Sequence, residues 1–417
     1  MTHTKLLTIL MASLFLLAVS LALRMRQLYV MSAALAAIPF ISYLLGRYAL
    51  RSLSCSRQAP EYASEGELLR LSLRIRGHSR LLGPIRVEDT LSEWLAPAEG
   101  GAPGSSGDTL EVGVVGAAAA VRASADGVAF SYGVVPTKRG EHLIGPVRVR
   151  ATDPLGLFDF GAGYPLQSRI LAFPTPVRLD EIRSAAGGEY GDYQFEGSGA
   201  SGSGIDFHGV REYQPGDELR RVYWKSTARH GRLNVIEFEH SLAQDTVIAV
   251  ELKKGTELGR GRYSSLEHGV RLAAGIAQDA VTGGSAVRLI GAGIEGPAAA
   301  AGKGQDQYYA VLQALALVEA DREEALSDVL MRHADVISQN SVILCVTPEI
   351  DDRLAECAGG FRARHVRMTV LLVYMMPDRP RGLDGRVAEL AAAGASVIVV
   401  ACSPESPDAK VTYRYAA

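Results

Sequence analysis

The sequence predicts a multi-domain fold in which a two-helix transmembrane hairpin is followed by an antiparallel β-sandwich and then by an α/β domain. Three observations predict it. Two uncharged apolar runs lie within the first 46 residues, short alternating segments fill residues 61–182, and near-continuous apolar strands alternate with helical patterns from residue 241 onward. A chain of 417 residues is long enough for two or three such domains.

Residues 1–51 are predicted to form the hairpin, with helices at about 6–23 and 28–46. The runs Leu6–Leu23 and Gln27–Gly46 contain no charged residue. At about 1.5 Å per residue each spans roughly 27–30 Å, close to the hydrocarbon thickness of a bilayer. A cleaved signal peptide ending near Ser20 is the alternative for the first run. The second run follows at once, which favours two membrane spans.

Basic residues predict how the hairpin is oriented, because the cytoplasmic flanks of membrane helices are enriched in Lys and Arg. The link carries two basic residues and the outer flanks carry four: Arg24 and Arg26 against Lys5, Arg47, Arg51 and Arg57. We therefore expect a multi-pass protein of the plasma membrane with both termini in the cytoplasm and the lipid bilayer as a partner.

Residues 61–182 are predicted to form the β-sandwich. In Leu69–Arg76, leucine and isoleucine alternate with arginine and serine, as in a strand with one buried face. Similar alternation recurs at Ile85–Asp89, Val128–Val135 and Leu143–Arg150, with breaks rich in Gly, Pro and Ser between them. Several short strands at this spacing are typical of an antiparallel sandwich.

The chain then changes character twice. The turn TDPLGLF, Thr152–Phe158, is expected to connect the β domain to the next domain. Residues 183–203 are rich in Gly, Ser and Ala and are predicted to be a flexible linker. In the segment 204–240, charges of both signs are interleaved with aromatic residues at a spacing that neither a helix nor a strand explains. This segment is the candidate functional part of the chain.

Three interpretations of the segment 204–240 stay open. Ion pairs between Arg211, Asp217 and Arg220, with Trp224 buried beside them, would join the β domain to the α/β domain. Alternatively, the Arg, Tyr and Trp side chains form a partner-binding surface, since these residue types dominate binding hot spots. A catalytic role comes third, because no nucleophile and base with an orienting group can be named.

Residues 241–417 are predicted to form a parallel sheet covered by helices on both faces. The predicted strands are 246–252, 286–291, 341–347, 367–375 and 395–401, and the predicted helices are 264–281, 305–319, 323–333, 352–361 and 383–393. The first helix begins with the capping box Ser264-x-x-Glu267. A ligand of such a fold lies outside the carboxyl ends of the strands.

Two sequences in this domain resemble nucleotide-binding motifs, but each lacks a feature that binding requires. The sequence GAGIEG, Gly291–Gly296, follows a strand, but Pro297 and the glycines beyond it leave almost no helix for the motif to open. The sequence GPAAAAGKG resembles a P-loop, but it is one residue too long and has Gly304 in place of the hydroxyl that binds Mg²⁺. We therefore predict no cofactor, no small-molecule substrate and no enzymatic activity.

Two long stretches closely resemble the bacterial domain of unknown function 58 family: VPTKRGEHLIGPVRVRATDPLGLFDF and DFHGVREYQPGDELRRVYWKSTARHGRLNVIEFE. The resemblance implies that the last domain is similar to von Willebrand factor A, a Rossmann-like fold. It also implies partners, namely MoxR-type AAA+ ATPases and transglutaminase-like membrane proteins. The resemblance carries over seven signature positions, which are our candidates for partner-binding or interdomain residues: Arg211, Tyr213, Gly216, Asp217, Arg220, Trp224 and Lys225.

The metal site of a von Willebrand A domain is degenerate in this sequence. Such domains bind a divalent cation through D-x-S-x-S after the first strand, because hard cations need carboxylate and hydroxyl oxygens. This chain has Glu251-Leu252-Lys253-Lys254-Gly255 there, so one carboxylate remains and both hydroxyls are missing. We therefore predict no metal at the site around Glu251.

The sequence thus predicts a membrane-anchored, cytoplasmic-facing scaffold or adaptor that docks a MoxR-type AAA+ ATPase or a cell-envelope assembly partner. A metal-dependent von Willebrand A adhesion module is the alternative, and an uncharacterised enzyme or nucleic-acid binder comes after it. A net charge of -3 predicts no nucleic-acid partner. The five basic residues of Arg220–Arg232, with aromatic residues among them, keep single-strand binding as an option.

Overall fold

The computed structural model describes residues 2–77, 82, 85–98, 109–115, 128–179, 206–212, 232–239, 245–339, 341–376, 383–406 and 409–415. The chain divides into two compact units, Met1–Phe173 and Pro174–Ala417. Residues 174–179 belong to the second unit, whereas the sequence-based bounds of the β domain run to residue 182. The backbone N–H of Val177 donates to the carbonyl oxygen of Arg271 at 3.1 Å, which ties this segment to the second unit.

The first unit begins with two antiparallel apolar helices, α1 (Thr2–Leu23) and α2 (Arg26–Arg51). They form a hairpin in which Ser32 Oγ donates to the carbonyl oxygen of Ser13 at 2.8 Å. Most of their large apolar side chains point away from the protein, including Phe15 at 69% exposed. Both helices are long and apolar enough to cross a membrane, so the prediction of two N-terminal apolar helices is confirmed.

The described part of this unit also holds ten strands. They are β1 (Ser54–Gln58), β2 (Tyr62–Ser64), β3 (Leu69–Arg76), β4 (Ile85–Leu91), β5 (Leu95–Pro97), β6 (Thr109–Val115), β7 (Val128–Pro136), β8 (Gly140–Thr152), β9 (Asp159–Tyr164) and β10 (Ser168–Phe173). One sheet has the order β1-β3-β7-β5, and the other has the order β2-β10-β8-β4-β6 with β9 beside β8. Pairing is antiparallel except between β2 and β10.

The turn Thr152–Phe158 connects β8 to β9 within the second of these sheets, because Thr152 pairs with Asp159. The expectation that this turn connects the β domain to the next domain is therefore wrong. Its Asp-Pro-Leu-Gly sequence makes a tight connection between neighbouring strands, and the unit continues through β9 and β10.

Alternating residues of the strands build one core from both sheets. Leu71 and Leu73 of β3, Val87 of β4, and Val147 and Val149 of β8 have no exposed surface and belong to the same cluster. The arginines of β3 point outward, as its period of two requires. This shared core joins the sheets into one folded body.

The second unit contains a short two-stranded ribbon and a larger α/β layer structure. The ribbon is β11 (Asp206–Glu212) with β12 (Asn234–Glu239). The strands of the large sheet are β13 (Thr246–Val250), β14 (Val287–Ile290), β15 (Val342–Thr347), β16 (Arg367–Met375), β17 (Ser396–Cys402) and β18 (Ala409–Tyr415). The α-helices among the described residues of this unit are α3 (Ser265–Thr282), α4 (Gly304–Leu317), α5 (Leu326–Arg332), α6 (Leu354–Ala363) and α7 (Leu383–Ala393).

The large sheet has the order β14-β13-β15-β16-β17-β18 and is parallel except for the last strand. Helices α5, α6 and α7 share one apolar cluster with the sheet, and α3 contacts β13, β15 and β16 without contributing to that cluster. The two faces are therefore both covered, which explains the near-continuous apolar strands. The mixed α/β character is as predicted, whereas β18 is an edge strand that the sequence analysis missed.

Candidate functional site

A small cleft opens at the carboxyl ends of β13 and β15. The helices that follow these strands, α3 and α6, cover opposite faces of the sheet. This is the switch point at which doubly wound sheets bind ligands. The cleft is lined by Val250, Glu251, Thr256, Glu257, Ser265, Leu266, Gly269, Ala320, Val346, Thr347, Pro348 and Val373.

Glu251 is the buried carboxylate of this cleft, with 5% of its surface exposed. One oxygen accepts the backbone N–H of Lys253 and the other accepts that of Leu326, both at 3.0 Å. Burial raises the pKa of Glu251, these hydrogen bonds oppose the rise, and the negative charges of Asp351 and Glu349 add to it. Glu251 therefore ties the end of β13 to the start of α5.

The hydroxyl groups around the cleft also serve local turns. Thr256 Oγ1 donates to the carbonyl oxygen of Lys253 at 2.8 Å, and Ser265 Oγ accepts the backbone N–H of Leu258 at 2.8 Å. Thr347 Oγ1 donates to the carbonyl oxygen of Glu349 at 2.5 Å. Among the described residues, no group of three or more His, Cys, Asp or Glu side chains is arranged to hold a metal. These polar groups shape the cleft, and a cation would need further oxygen ligands.

The glycine-rich stretch Gly291–Gly296 leads into a short 3-10 helix, Gly296–Ala299, and not into an α-helix. The next α-helix, α4, begins only at Gly304. Gly293 has φ 79° and lies against the guanidinium of Arg322, so that a Cβ here would contact that side chain. A phosphate-binding loop needs the N–H groups of an α-helix N-terminus, which this connection does not supply.

Of the predicted signature residues, only Arg211 lies in the described part of the chain. It belongs to β11, where it pairs with Val235 of β12. The other six fall outside the described residues: Tyr213, Gly216, Asp217, Arg220, Trp224 and Lys225. The ribbon places Arg211 within the second unit, before the large sheet begins.

Comparison with known families assigns this region. Residues 209–398 match the family described as "Protein of unknown function DUF58". This match confirms the predicted resemblance to DUF58 for residues 209–398. The match begins in β11 and ends in β17, so it contains most of the ribbon, the residues that line the switch-point cleft and all of the signature positions.

A curated relative extends the DUF58 comparison beyond the matched region. The chain is 26% identical over 361 residues to "Uncharacterized protein YeaD" of Bacillus subtilis (strain 168), covering 80% of each chain. Among solved structures, a cohesin module from a Clostridium perfringens ATCC13124 family 33 glycoside hydrolase covers 29% of this chain and 96% of its own. Its TM-score of 0.20 at 6% identity is too low to assign a fold.

The part of the chain that precedes the family match contains a buried ion pair that sequence analysis missed. Arg57 Nη2 lies 2.6 Å from Asp89 Oδ1, and neither side chain has exposed surface. The hydroxyl of Tyr132 donates to the other oxygen of Asp89, and Arg57 also donates to the carbonyl oxygen of Ile144 at 2.8 Å. Burial raises the pKa of Asp89, while its hydrogen bonds from Tyr132 and Arg57 oppose the rise. Arg57 is therefore a core residue, and its earlier assignment to the basic flank of the hairpin is wrong.

A second buried carboxylate connects the β8–β9 turn to α2. Asp153 is 1% exposed and accepts the hydroxyl of Ser42 at 2.5 Å. It also accepts the backbone N–H groups of Leu155, Leu157 and Phe158 at 3.1, 2.6 and 2.7 Å. Burial alone would raise the pKa of Asp153, but these hydrogen bonds outweigh it and lower the pKa. The sequence signalled the turn through its Asp-Pro-x-Gly pattern, but not the helix to which the turn is attached.

Proposed function

We propose that this protein is a membrane-anchored scaffold or adaptor that holds a partner protein at the cytoplasmic surface of the membrane. The observation that carries the proposal is the rigid attachment of the β strands to α2. Only Ser52 and Leu53 separate α2 from β1, and the Ser42–Asp153 hydrogen bond adds a second attachment. A body fixed in this way to a membrane helix presents constant faces to a partner.

The ring of Phe160 supports the same attachment. It lies so close to Gly46 of α2 that a Cβ at Gly46 would be 2.3 Å from Phe160 Cε2, so no larger residue fits without movement. Tyr43 contacts Phe158 and Phe160 with ring centroids 5.4 and 5.8 Å apart. Aromatic residues at this level are typical of the membrane–water interface. The contact favours a span by α2 that ends where the β strands begin.

Two finer assignments of fold belong to the proposal. The β strands of the first unit form a sandwich, which is supported by the single core shared by their two sheets. The large sheet of the second unit is von Willebrand factor A-like. The doubly wound order and the cleft at its switch point support this, as does Glu251 at the end of its first strand.

The proposal places both ends of the hairpin in the cytoplasm. With Arg57 buried in the β core, the basic residues that remain exposed are Lys5, Arg47 and Arg51 on the flanks against Arg24 and Arg26 in the link. The balance of three to two still favours a cytoplasmic flank.

Thiol labelling in intact cells tests this orientation. Met25→Cys, at a position 52% exposed in the link, is expected to react with a membrane-impermeant maleimide added outside. Leu143→Cys, 44% exposed on β8, should react only after lysis. The reverse pattern would place the β strands outside the cell and contradict a cytoplasmic scaffold.

The proposed partner is a MoxR-type AAA+ ATPase, a transglutaminase-like membrane protein or another cell-envelope assembly protein. Capture by the full-length chain in detergent tests the signature segment as the docking surface. Arg211→Ala/Trp224→Ala is expected to lose the partner at least about tenfold, which is the effect of removing about 1.4 kcal/mol of binding free energy.

The matched control for this capture is Arg260→Ala/Tyr309→Ala, which removes an exposed arginine and an exposed aromatic residue from the same unit. This control should retain the partner. Circular dichroism of each variant must match the wild type. Equal capture by both folded double variants would remove the signature segment as the docking surface.

The switch-point cleft favours a second candidate, a metal-dependent adhesion module. Calorimetric titration of the full chain with Mg²⁺ and Mn²⁺ distinguishes the two functions. The scaffold proposal expects no saturable heat, since both oxygens of Glu251 already accept backbone N–H groups. Saturable heat that Glu251→Gln abolishes would establish the adhesion module instead.

A further inference from the structure

The turn between β8 and β9 carries an exposed apolar tip beside the apolar helices. Leu155 is 50% exposed and follows exposed Pro154, while the flanking residues Asp153 and Leu157 are buried. An exposed leucine on its own needs no explanation. Leu155 is of interest because its turn lies beside the apolar helices α1 and α2.

Contacts with both helices place this turn at a similar distance, along the helix axes, from the link between α1 and α2. Counted from the link, Ser42 lies about 17 residues along α2 and Lys5 lies about 19 residues back along α1, or about 26 Å and about 28 Å. Asp153 is hydrogen-bonded to Ser42, and a Cβ at Gly156 would lie 3.4 Å from Lys5 Nζ. The charge-free run of α1 ends at Lys5, and that of α2 ends four residues beyond Ser42, at Gly46.

The surroundings of the turn have the composition of a membrane interface. Exposed Lys5 and Arg47 provide cations at the level of the phosphates, and Tyr43 with Phe158 provides aromatic rings just inside it. The turn is also held firmly, because Asp153 accepts three of its backbone N–H groups. A rigid apolar tip at this depth faces the boundary between headgroups and acyl chains.

We propose that the turn Thr152–Phe158 is a third membrane contact, in which Pro154 and Leu155 insert into the headgroup–acyl boundary of the leaflet that holds Lys5 and Arg47. The inference rests on the membrane anchoring in the proposed function and deepens it. The hairpin and the β strands attached to it can still tilt together relative to the membrane plane. A third contact off the helix axes fixes how the β strands face the membrane.

Depth-dependent fluorescence tests this contact in the full-length chain. Leu155→Cys is labelled with the environment-sensitive dye NBD, and the protein is reconstituted into vesicles of phosphatidylethanolamine and phosphatidylglycerol. The native thiols compete poorly, because Cys345, Cys357 and Cys402 are buried and burial raises the pKa of the Cys55 thiol to about 11.

Leu143→Cys is the matched control. Leu143 is also a half-exposed leucine, 44% exposed, and it lies near the opposite end of β8, about 30 Å from Thr152 at about 3.3 Å per residue. The label at position 155 should show a several-fold gain in intensity and a blue shift on reconstitution. Lipids with a nitroxide high on the acyl chain should quench it more strongly than lipids with a nitroxide at the chain end. The label at position 143 should stay water-like.

Flotation of the same vesicles separates the outcomes. If the protein floats with the vesicles but the label at position 155 behaves like that at position 143, the third contact is wrong and the anchoring stands. Strongest quenching by chain-end nitroxides also overturns it, since it places the turn too deep. If the protein does not float, the anchoring and the third contact fail together.

Discussion

Asp89→Asn is expected to lower the free energy of unfolding of the first unit by about 3–5 kcal/mol, because it leaves the charge of Arg57 buried without a counter-charge. The Arg57 and Asp89 side chains have no exposed surface, and water cannot replace the lost partner. Arg57 also donates to the carbonyl oxygen of Ile144, so it cannot turn outward without breaking further hydrogen bonds.

The half-buried thiol of Cys55 reports this loss of stability from β1, the strand that also carries Arg57. Modification of Cys55 in the full chain in detergent micelles is followed against urea concentration by mass spectrometry of its peptide. The urea concentration at which half of Cys55 is modified should be far lower for Asp89→Asn than for the wild type. The control Glu141→Gln removes an exposed carboxylate of the same unit, whose pair with Arg169 has side chains 48% and 76% exposed, and should change stability by less than about 1 kcal/mol. Equal shifts for the two variants would contradict the role of the buried pair.

Asp153→Ala is expected to release the β8–β9 turn from α2 and to destabilise this attachment by about 2–4 kcal/mol. The substitution removes the acceptor of four hydrogen bonds, and bonds to a charged group contribute about 1.5–3 kcal/mol each without adding fully. Hydrogen exchange of the peptide that contains Leu155, Leu157 and Phe158 measures the effect, because these amides lose their acceptor. Exchange there should become much faster than in the wild type.

Asp159→Ala is the control for this exchange experiment, since it removes an exposed carboxylate at the start of β9. This control should leave the backbone amides of the turn protected from hydrogen exchange. If Asp153→Ala leaves the protection unchanged as well, the backbone alone holds the turn and the attachment through Asp153 is not needed.

The depressed pKa of Asp153 adds a pH dependence with a definite sign. A carboxyl whose pKa is lower in the folded state than its unfolded value, about 3.9, stabilises the fold above that value. This contribution is lost as the pH falls through the folded pKa. Protection of the turn in the wild type should therefore persist at neutral pH and decline below about pH 4, whereas Asp153→Asn should lack this decline.

Much of the fold could be predicted from the sequence because periodicity reports burial directly. The capping box places the start of α3, and Ser264 does accept the N–H of Glu267, at 3.4 Å. The apolar run of β16 has the bounds predicted, Arg367–Met375. In contrast, β18 (Ala409–Tyr415) was missed, because an antiparallel edge strand is defined by its neighbour β17 and by no long apolar run of its own.

The candidate site was predictable only in part. Glu251 was named only as the remaining carboxylate of the von Willebrand A metal motif that the family resemblance implies, and no metal was predicted there. Its hydrogen bond to the backbone of Leu326, 75 residues away, has no signal in the sequence. Arg57 was predicted wrongly, because its position just after an apolar helix suggested a basic flank of the membrane hairpin. Its partner Asp89 is 32 residues further along the chain, so no local pattern indicated the pair.

The sequence by itself determined the two apolar helices, the α/β character of the second half and the resemblance to DUF58, because composition, period and local motifs depend on neighbouring residues. Only the tertiary structure decided which charged residues are buried and which turn contacts which helix. Ser42 and Asp153 are 111 positions apart. Their contact depends on how β8 and α2 pack together, and no local pattern contains that information.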